Sequence, residues 1–223
     1  MYNCLFKLAL IAVAGFGVSP TALAQYKVTG KPLDAWRYDK HKGTPYQFDK
    51  DRTGYAVNTK GRRTTDVLIN YNGFTSEFEV TDSTGARYAI NEAAYPTVYV
   101  VDGSDTLEYI RGIIANQPKQ YAQVLLSERG GALIKQWHVT EGKVTVENVG
   151  RTEEMLRFGP RPMYLLSTDG APRIVTLRRK NYIRAFPEQY TGLVERAYKR
   201  KRKATDEERA LAALKAYLEA VSN

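Results

Sequence analysis

Between residues 53 and 184 the chain keeps reversing. Segments rich in Val, Ile, Tyr, Thr and Leu recur every eight to twelve residues, with Gly, Asp and Asn between them. An amphipathic helix needs a longer stretch with apolar residues three and four apart, whereas antiparallel strands joined by tight turns need this punctuation. The first segments, 54–58, 65–71, 76–81 and 87–90, are separated by Lys60-Gly61, Asn72-Gly73 and Ser83-Thr84-Gly85, all hairpin signals. Further strands are predicted at 97–101, 106–113, 120–127, 133–139, 143–146, 163–167, 173–177 and 181–185. Their separators include Asp102-Gly103, Gly130-Gly131, Glu141-Gly142 and Asp169-Gly170. In Ser76-Glu77-Phe78-Glu79-Val80 strict alternation predicts one face toward a core and the other toward water. The expected fold is mainly β (α+β): an antiparallel β-meander forming a curled sheet, sandwich or partial barrel, with a C-terminal pair of helices.

Those helices are signalled from Pro187 onward. Proline suits a first helical position, and Leu193, Val194, Ala197 and Tyr198 follow at three- and four-residue intervals. Thr205-Asp206-Glu207-Glu208 reads as a capping box opening a second helix, with Leu211, Leu214, Leu218 and Val221 as its apolar stripe. Upstream of the strands, residues 25–52 are polar but carry Tyr26, Trp36, Tyr38, Tyr46 and Phe48. That is too many aromatics for a free linker, so an irregular arm packed across the domain is expected. The expected organisation is thus a leader at 1–24, the arm at 25–52, an antiparallel β domain at 53–186 and a helical tail at 187–223 docked on it.

The leader has the layout of a secretory signal peptide. Lys7 precedes an apolar run from Leu8 to Val18, Pro20 follows, and Ala22-Leu23-Ala24 supplies a small-residue cleavage site before Gln25. The run is shorter than the roughly 20 residues that span a bilayer. Export through the Sec pathway, to the periplasm, the cell envelope or the medium, is expected. Cleavage removes Cys4, the chain's one cysteine, and leaves 199 residues with a formal charge of +8. Such a domain is held by its core rather than by disulfides.

The densest charge run is Lys199-Arg200-Lys201-Arg202-Lys203, at the end of the first predicted helix. Arg173, Arg178, Arg179, Lys180 and Arg184 add five cations with no acid between residues 173 and 184. Behind a signal peptide this surface points away from nucleic acid and toward an anionic lipid, a glycan or another envelope protein. Catalytic and metal signatures are weaker. Asp49-Lys50-Asp51-Arg52-Thr53-Gly54 imitates the start of a calcium loop, but its twelfth position is Lys60 where a bidentate Glu is needed. His41 and His138 lack metal-ligand spacing, and His138, after Trp137, is expected half-buried in a strand. No metal or cofactor is therefore expected. Gly-x-Ser-x-Gly and Ser-x-x-Lys are absent. A carboxylate-dependent hydrolase needs only two acids placed by the fold, and Asp102, Asp105 and Glu108 around one predicted turn, with Glu153 and Glu154 on another connection, are the candidates. Tyr88, Tyr95, Tyr99, Tyr109 and Tyr121, in or beside strands, serve either the core or a sugar- or acyl-binding face.

Gly43-Thr44-Pro45-Tyr46, the strand Gly54-Tyr55-Ala56-Val57, the turn through Lys60-Gly61, then Val67-Leu68-Ile69-Asn70-Tyr71 and Glu77-Phe78-Glu79-Val80 follow one another in an order similar to that of an uncharacterised group of exported Bacteroidota proteins. There a signal peptide and a Gly-[Ser/Thr]-Pro-Tyr start lead into a β-meander and a Lys-rich helical tail. The resemblance implies export and fold, and carries no activity. The expected function is a non-enzymatic binding or structural module of the envelope. The alternatives are the carboxylate hydrolase and a carrier of an apolar ligand in a partial barrel.

Overall fold

In the computed structural model, residues 30–222 are described except 35, 115, 116, 149, 150, 169–171, 201 and 202. The leader, Gln25, Lys201, Arg202 and the Asp169-Gly170 turn lie outside the described residues. The strands are β1 (Gly30–Pro32), β2 (His41–Lys42), β3 (Arg52–Val57), β4 (Val67–Asn72), β5 (Glu77–Thr81), β6 (Arg87–Ile90), β7 (Thr97–Asp102), β8 (Asp105–Arg111), β9 (Tyr121–Glu128), β10 (Gly131–Gln136), β11 (Val139–Asn148), β12 (Arg151–Pro160), β13 (Met163–Ser167) and β14 (Arg173–Val175). Eleven of them form one antiparallel sheet, ordered β1-β6-β5-β4-β3-β7-β8-β9-β10-β13-β14. The β11–β12 hairpin leaves the meander between β10 and β13 and forms a second sheet with β2, which runs parallel to β12. The helices are α1 (Arg179–Ile183), α2 (Thr191–Arg200), entered through a 3-10 turn at Glu188–Tyr190, and α3 (Asp206–Ser222).

Local chemistry accounts for many of the reversals. Between β5 and β6, Gly85 takes φ +84°, open to glycine without strain, while the Asp82 carboxylate accepts from the amides of Thr84 and Ala86 at 2.8 and 3.0 Å. At the start of α3 the Glu208 amide donates to Thr205 Oγ1 at 3.2 Å and the Thr205 amide donates to Glu208 Oε2 at 2.7 Å, a reciprocal capping box.

Buried apolar residues form three clusters on the sheet. In its first half Tyr71 and Phe78 from β4 and β5 meet Tyr109 and Tyr121 from β8 and β9. Phe78 lies 5.0 Å edge-on from both tyrosines, and the Tyr71 hydroxyl donates to the Tyr121 carbonyl at 3.4 Å. Strands distant in the sheet touch here, so the sheet curves over this cluster and aromatic rings fill its concave side. In the second half, cross-strand partners Leu133 and Leu166 face the helices, while Ile134 and Leu165, one residue along, join Ile114 and Ala122 on the opposite face. Three buried tyrosines tie the helical layer to backbone: Tyr182 donates to Ala210 O (3.1 Å), Tyr198 to Leu177 O (2.6 Å) and Tyr217 to Thr168 O (2.7 Å).

The structure departs from the sequence expectations in specific places. Residues predicted as a strand at 181–185 are largely helical, in α1. With Tyr182 buried among helices rather than on a sheet, the local β propensity is overridden. Glu141-Gly142 is no turn, since β11 runs through it in unbroken register with β12. Glu153 and Glu154, expected on a connection, lie on β12. That hairpin stands largely in solvent, so it lacks the apolar signal that marks a buried strand. His138 is exposed between β10 and β11 rather than half-buried in a strand.

The alternating face of β5 differs most. Glu79, expected in water, is fully buried. The arm covers it: the Tyr46 hydroxyl donates to Glu79 Oε2 at 2.9 Å, and Arg37 reaches that oxygen at 2.5 Å. Arg87 of β6 lies 3.1 Å away, and Asn72 Nδ2 donates to Oε1 at 2.7 Å. Arg87 also binds Asp51 at 2.7 Å, and Asp51 accepts from Thr81 at 2.7 Å, so the carboxylate that imitates a calcium ligand is occupied by protein donors. The Gly43-Thr44-Pro45-Tyr46 start anchors the cover, with the Gly73 amide donating to Pro45 O and the Gln47 amide to Tyr71 O, both at 2.9 Å.

Candidate functional site

The basic residues of the C-terminal segment lie on and beside three helices whose buried faces are set by apolar residues. Tyr182 on α1, and Val194 and Tyr198 on α2, point into the core. At 3.6 residues per turn this leaves Arg179, Lys180, Arg196, Lys199 and Arg200 on the outer side. Two grooves lie between these helices. One, of about 790 Å³, is lined by Arg179, Arg196, Tyr198, Lys199, Arg200, Asp206 and Arg209. Its neighbour, of about 690 Å³, is lined by Arg179, Lys180, Ile183, Arg184, Thr191, Gly192 and Glu195. Arg179 belongs to both, so the grooves form one basic face.

Carboxylates organise part of this face without neutralising it. Glu195 accepts from Arg179 and pairs with Lys199 at 3.1 Å, and Asp206 pairs with Arg209 at 3.3 Å. Arg178, Lys180, Arg184, Arg196, Arg200 and Lys203 have no carboxylate partner among the described residues. The Arg179 hydrogen bond, then Lys199, holds the Glu195 carboxyl below the usual carboxylate range. Its stabilising pairings are therefore complete above an ordinary glutamate pKa and are lost as pH falls through the depressed value. Substituting Arg179→Ala is expected to move the Glu195 titration upward toward its ordinary value in carboxyl-detected NMR. An unchanged midpoint would show that Arg179 does not hold it.

Of the bases singled out from sequence, Arg173 is placed apart. Its guanidinium donates to Thr168 Oγ1 at 3.1 Å and to the Ala185 carbonyl, tying β14 to the end of α1. Arg178, Arg179, Lys180, Arg184, Lys199, Arg200 and Lys203 remain on the helical segment, four of them lining the grooves beside Arg179. Arg196 and Arg209 were not singled out. The signal for Arg196 was its i, i+4 spacing to Arg200 on one helix face. Chemically the face offers fixed cations, several of them guanidinium forks that match phosphate or carboxylate oxygens in pairs.

The five acids proposed for hydrolysis do not converge. Asp102 pairs with Arg52 at 3.1 Å, Glu108 accepts from the Tyr99 hydroxyl at 2.7 Å, Asp105 is exposed opposite Asp102 across the β7–β8 turn, and Glu154 pairs with Lys143 at 2.9 Å beside exposed Glu153. Neither basic groove is lined by any of them. Among the described residues no cluster of His, Cys, Asp and Glu has metal-binding geometry. His41 stacks on Phe158 with ring centroids 4.5 Å apart. Tyr95, Tyr109 and Tyr121 are core, whereas Tyr99 stacks on Tyr55 across β7 and β3 at 4.9 Å. Its hydrogen bond to Glu108, then burial, pushes the Tyr99 hydroxyl up to about 12. Among the described residues no helix is long and apolar enough to cross a membrane. Compared with family models, curated proteins and solved structures, the chain matches none.

Proposed function

We propose that this is an exported, non-enzymatic module of the cell envelope whose C-terminal helical face holds it against anionic lipid headgroups, the curled sheet serving as the scaffold. The supporting observation is the pair of adjoining grooves whose bases, with Lys180, Arg184, Arg196 and Arg200 unpaired among the described residues, outnumber their acids. The guanidinium forks of Arg184, Arg196 and Arg200 match the paired oxygens of lipid phosphates. The signal-peptide layout of residues 1–24 and the resemblance to exported Bacteroidota proteins support an exported compartment.

Each base near an anionic bilayer contributes about 1 kcal/mol, so replacing Arg184, Arg196 and Arg200 together by Gln is expected to weaken binding to phosphatidylglycerol vesicles roughly a hundredfold. Cosedimentation across a salt series measures this, with phosphatidylcholine vesicles as the uncharged reference. Equal binding to both vesicles, or an unaltered triple variant, would remove the lipid reading. Binding to an acidic envelope polysaccharide without vesicle binding would replace it with a glycan.

A further inference from the structure

The β11–β12 hairpin has an edge that no described residue pairs with beyond Val139. At its base the Arg161 amide donates to His138 O at 2.7 Å, so even-numbered residues of β11 exchange hydrogen bonds with β12. Odd-numbered residues then turn their backbone groups outward. Val139, the first of them, donates to Gly73 O at 3.0 Å. Beyond it, β11 is the outer strand of its sheet, and no backbone hydrogen bond reaches the outer side of residues 141–147 from the described residues. Natural edges refuse partner strands with bulges, prolines, short length or charge. β11 is ten residues long, keeps one register with β12 throughout and contains no proline. Only its charges remain to consider.

Those charges are self-complementary. We infer that β11 pairs antiparallel with β11 of a second copy of this chain, about a two-fold axis through Thr145. Outward residues must meet outward residues, which restricts the axis to a few positions along Lys143-Val144-Thr145-Val146-Glu147. An axis at Lys143 or at Glu147 sets like charges face to face, and one at Val144 sets Glu141 against the partner's Glu147. An axis at Val146 leaves Lys143 without an acid opposite. Through Thr145, Lys143 faces the partner's Glu147 twice over and Thr145 faces its own copy, in pairs that exchange about six backbone hydrogen bonds. On the other face Val144 meets the partner's Val146, beside Met155, the register partner of Val144 on β12. Val144, Val146 and Met155 are half-buried in the single chain, and Lys143 is 72% exposed and pairs, among the described residues, with the exposed Glu154. The result is one continuous sheet across two chains, with isologous contacts.

A two-fold axis through Thr145 allows a charge-swap rescue that other modes of association do not. Protein made from the full coding sequence is expected to show a monomer–dimer equilibrium in sedimentation velocity. Lys143→Glu opposes two pairs of glutamates and Glu147→Lys opposes two pairs of lysines, so each variant alone is expected to lose at least about tenfold in dimerisation. Mixed one to one, the two variants restore both complementary pairs and are expected to form a heterodimer as stable as the parent dimer. Both sites are exposed, and circular dichroism checks that each variant is folded. A parent chain that stays monomeric at all concentrations, single variants that dimerise like the parent, or a mixture that gains nothing over its components would each overturn the assignment.

Discussion

Glu79→Ala is expected to destabilise the protein by about 3 kcal/mol, read as a lower urea midpoint with an unchanged slope. The carboxylate is fully buried and receives Arg37, Arg87, the Tyr46 hydroxyl and the Asn72 amide. Removing it leaves two guanidinium groups close together with no charge between them, and a buried hydroxyl and amide each short of an acceptor. Loss of one partner from a buried ion pair costs about 3–5 kcal/mol, and the lower end applies because the Arg37 and Arg87 side chains keep 19% and 25% exposure. Glu77→Ala, two residues away on the same face of β5 but less buried, is the control and is expected to change stability by no more than about 0.5 kcal/mol. Equal effects at the two positions would mean that the arm does not close over Glu79 in solution.

Phe78→Ala, on the opposite face of the same strand, is expected to cost about 3–5 kcal/mol for a different reason. Phe78 has no exposed surface and contacts Tyr71, Tyr109 and Tyr121 at ring separations of 4.9 to 5.0 Å. Truncation removes apolar burial and leaves a cavity lined by tyrosines whose positions are pinned elsewhere: Tyr121 donates to Tyr95 O at 2.5 Å, and Tyr71 to Tyr121 O. The site therefore collapses poorly. This loss is expected to be insensitive to salt, whereas that of Glu79→Ala contains a charge contribution that salt screens in part. A loss under about 1 kcal/mol at Phe78 would show that the sheet does not curve over the cluster.

Those neighbouring residues show how far the sequence carried. The alternation of β5 marked Phe78 as core, and it is core. The same alternation sent Glu79 to water, because periodicity records which residues share a face and says nothing of what covers that face. The cover comes from Tyr46, 33 residues upstream. The signal was present, since Trp36, Tyr38, Tyr46 and Phe48 were too many for a free linker, but no local pattern connected that arm to β5. The basic face was legible to a similar degree. The concentration of charge in the C-terminal segment could be counted, whereas the diversion of Arg173 to the end of α1 and the inclusion of Arg196 and Arg209 depend on how three helices pack.

What the sequence by itself determined are features decided within a few residues: the spacing of reversals that makes the protein an antiparallel β protein, the glycine at φ +84° in the β5–β6 turn, and the Thr205–Glu208 cap that opens α3. Their energetics involve backbone conformation and hydrogen bonds between near neighbours, which the order of residues specifies directly. Tertiary structure alone decided that residues 179–183 coil into a helix, that Glu141-Gly142 continues a strand, and that Glu79 is buried. In each case burial or pairing with a segment distant in the chain outweighs a local preference worth no more than about 1 kcal/mol. It is also tertiary structure that leaves one edge of β11 unpaired by any described residue, and so turns Lys143-Val144-Thr145-Val146-Glu147 from an ordinary polar strand into a surface that can match itself.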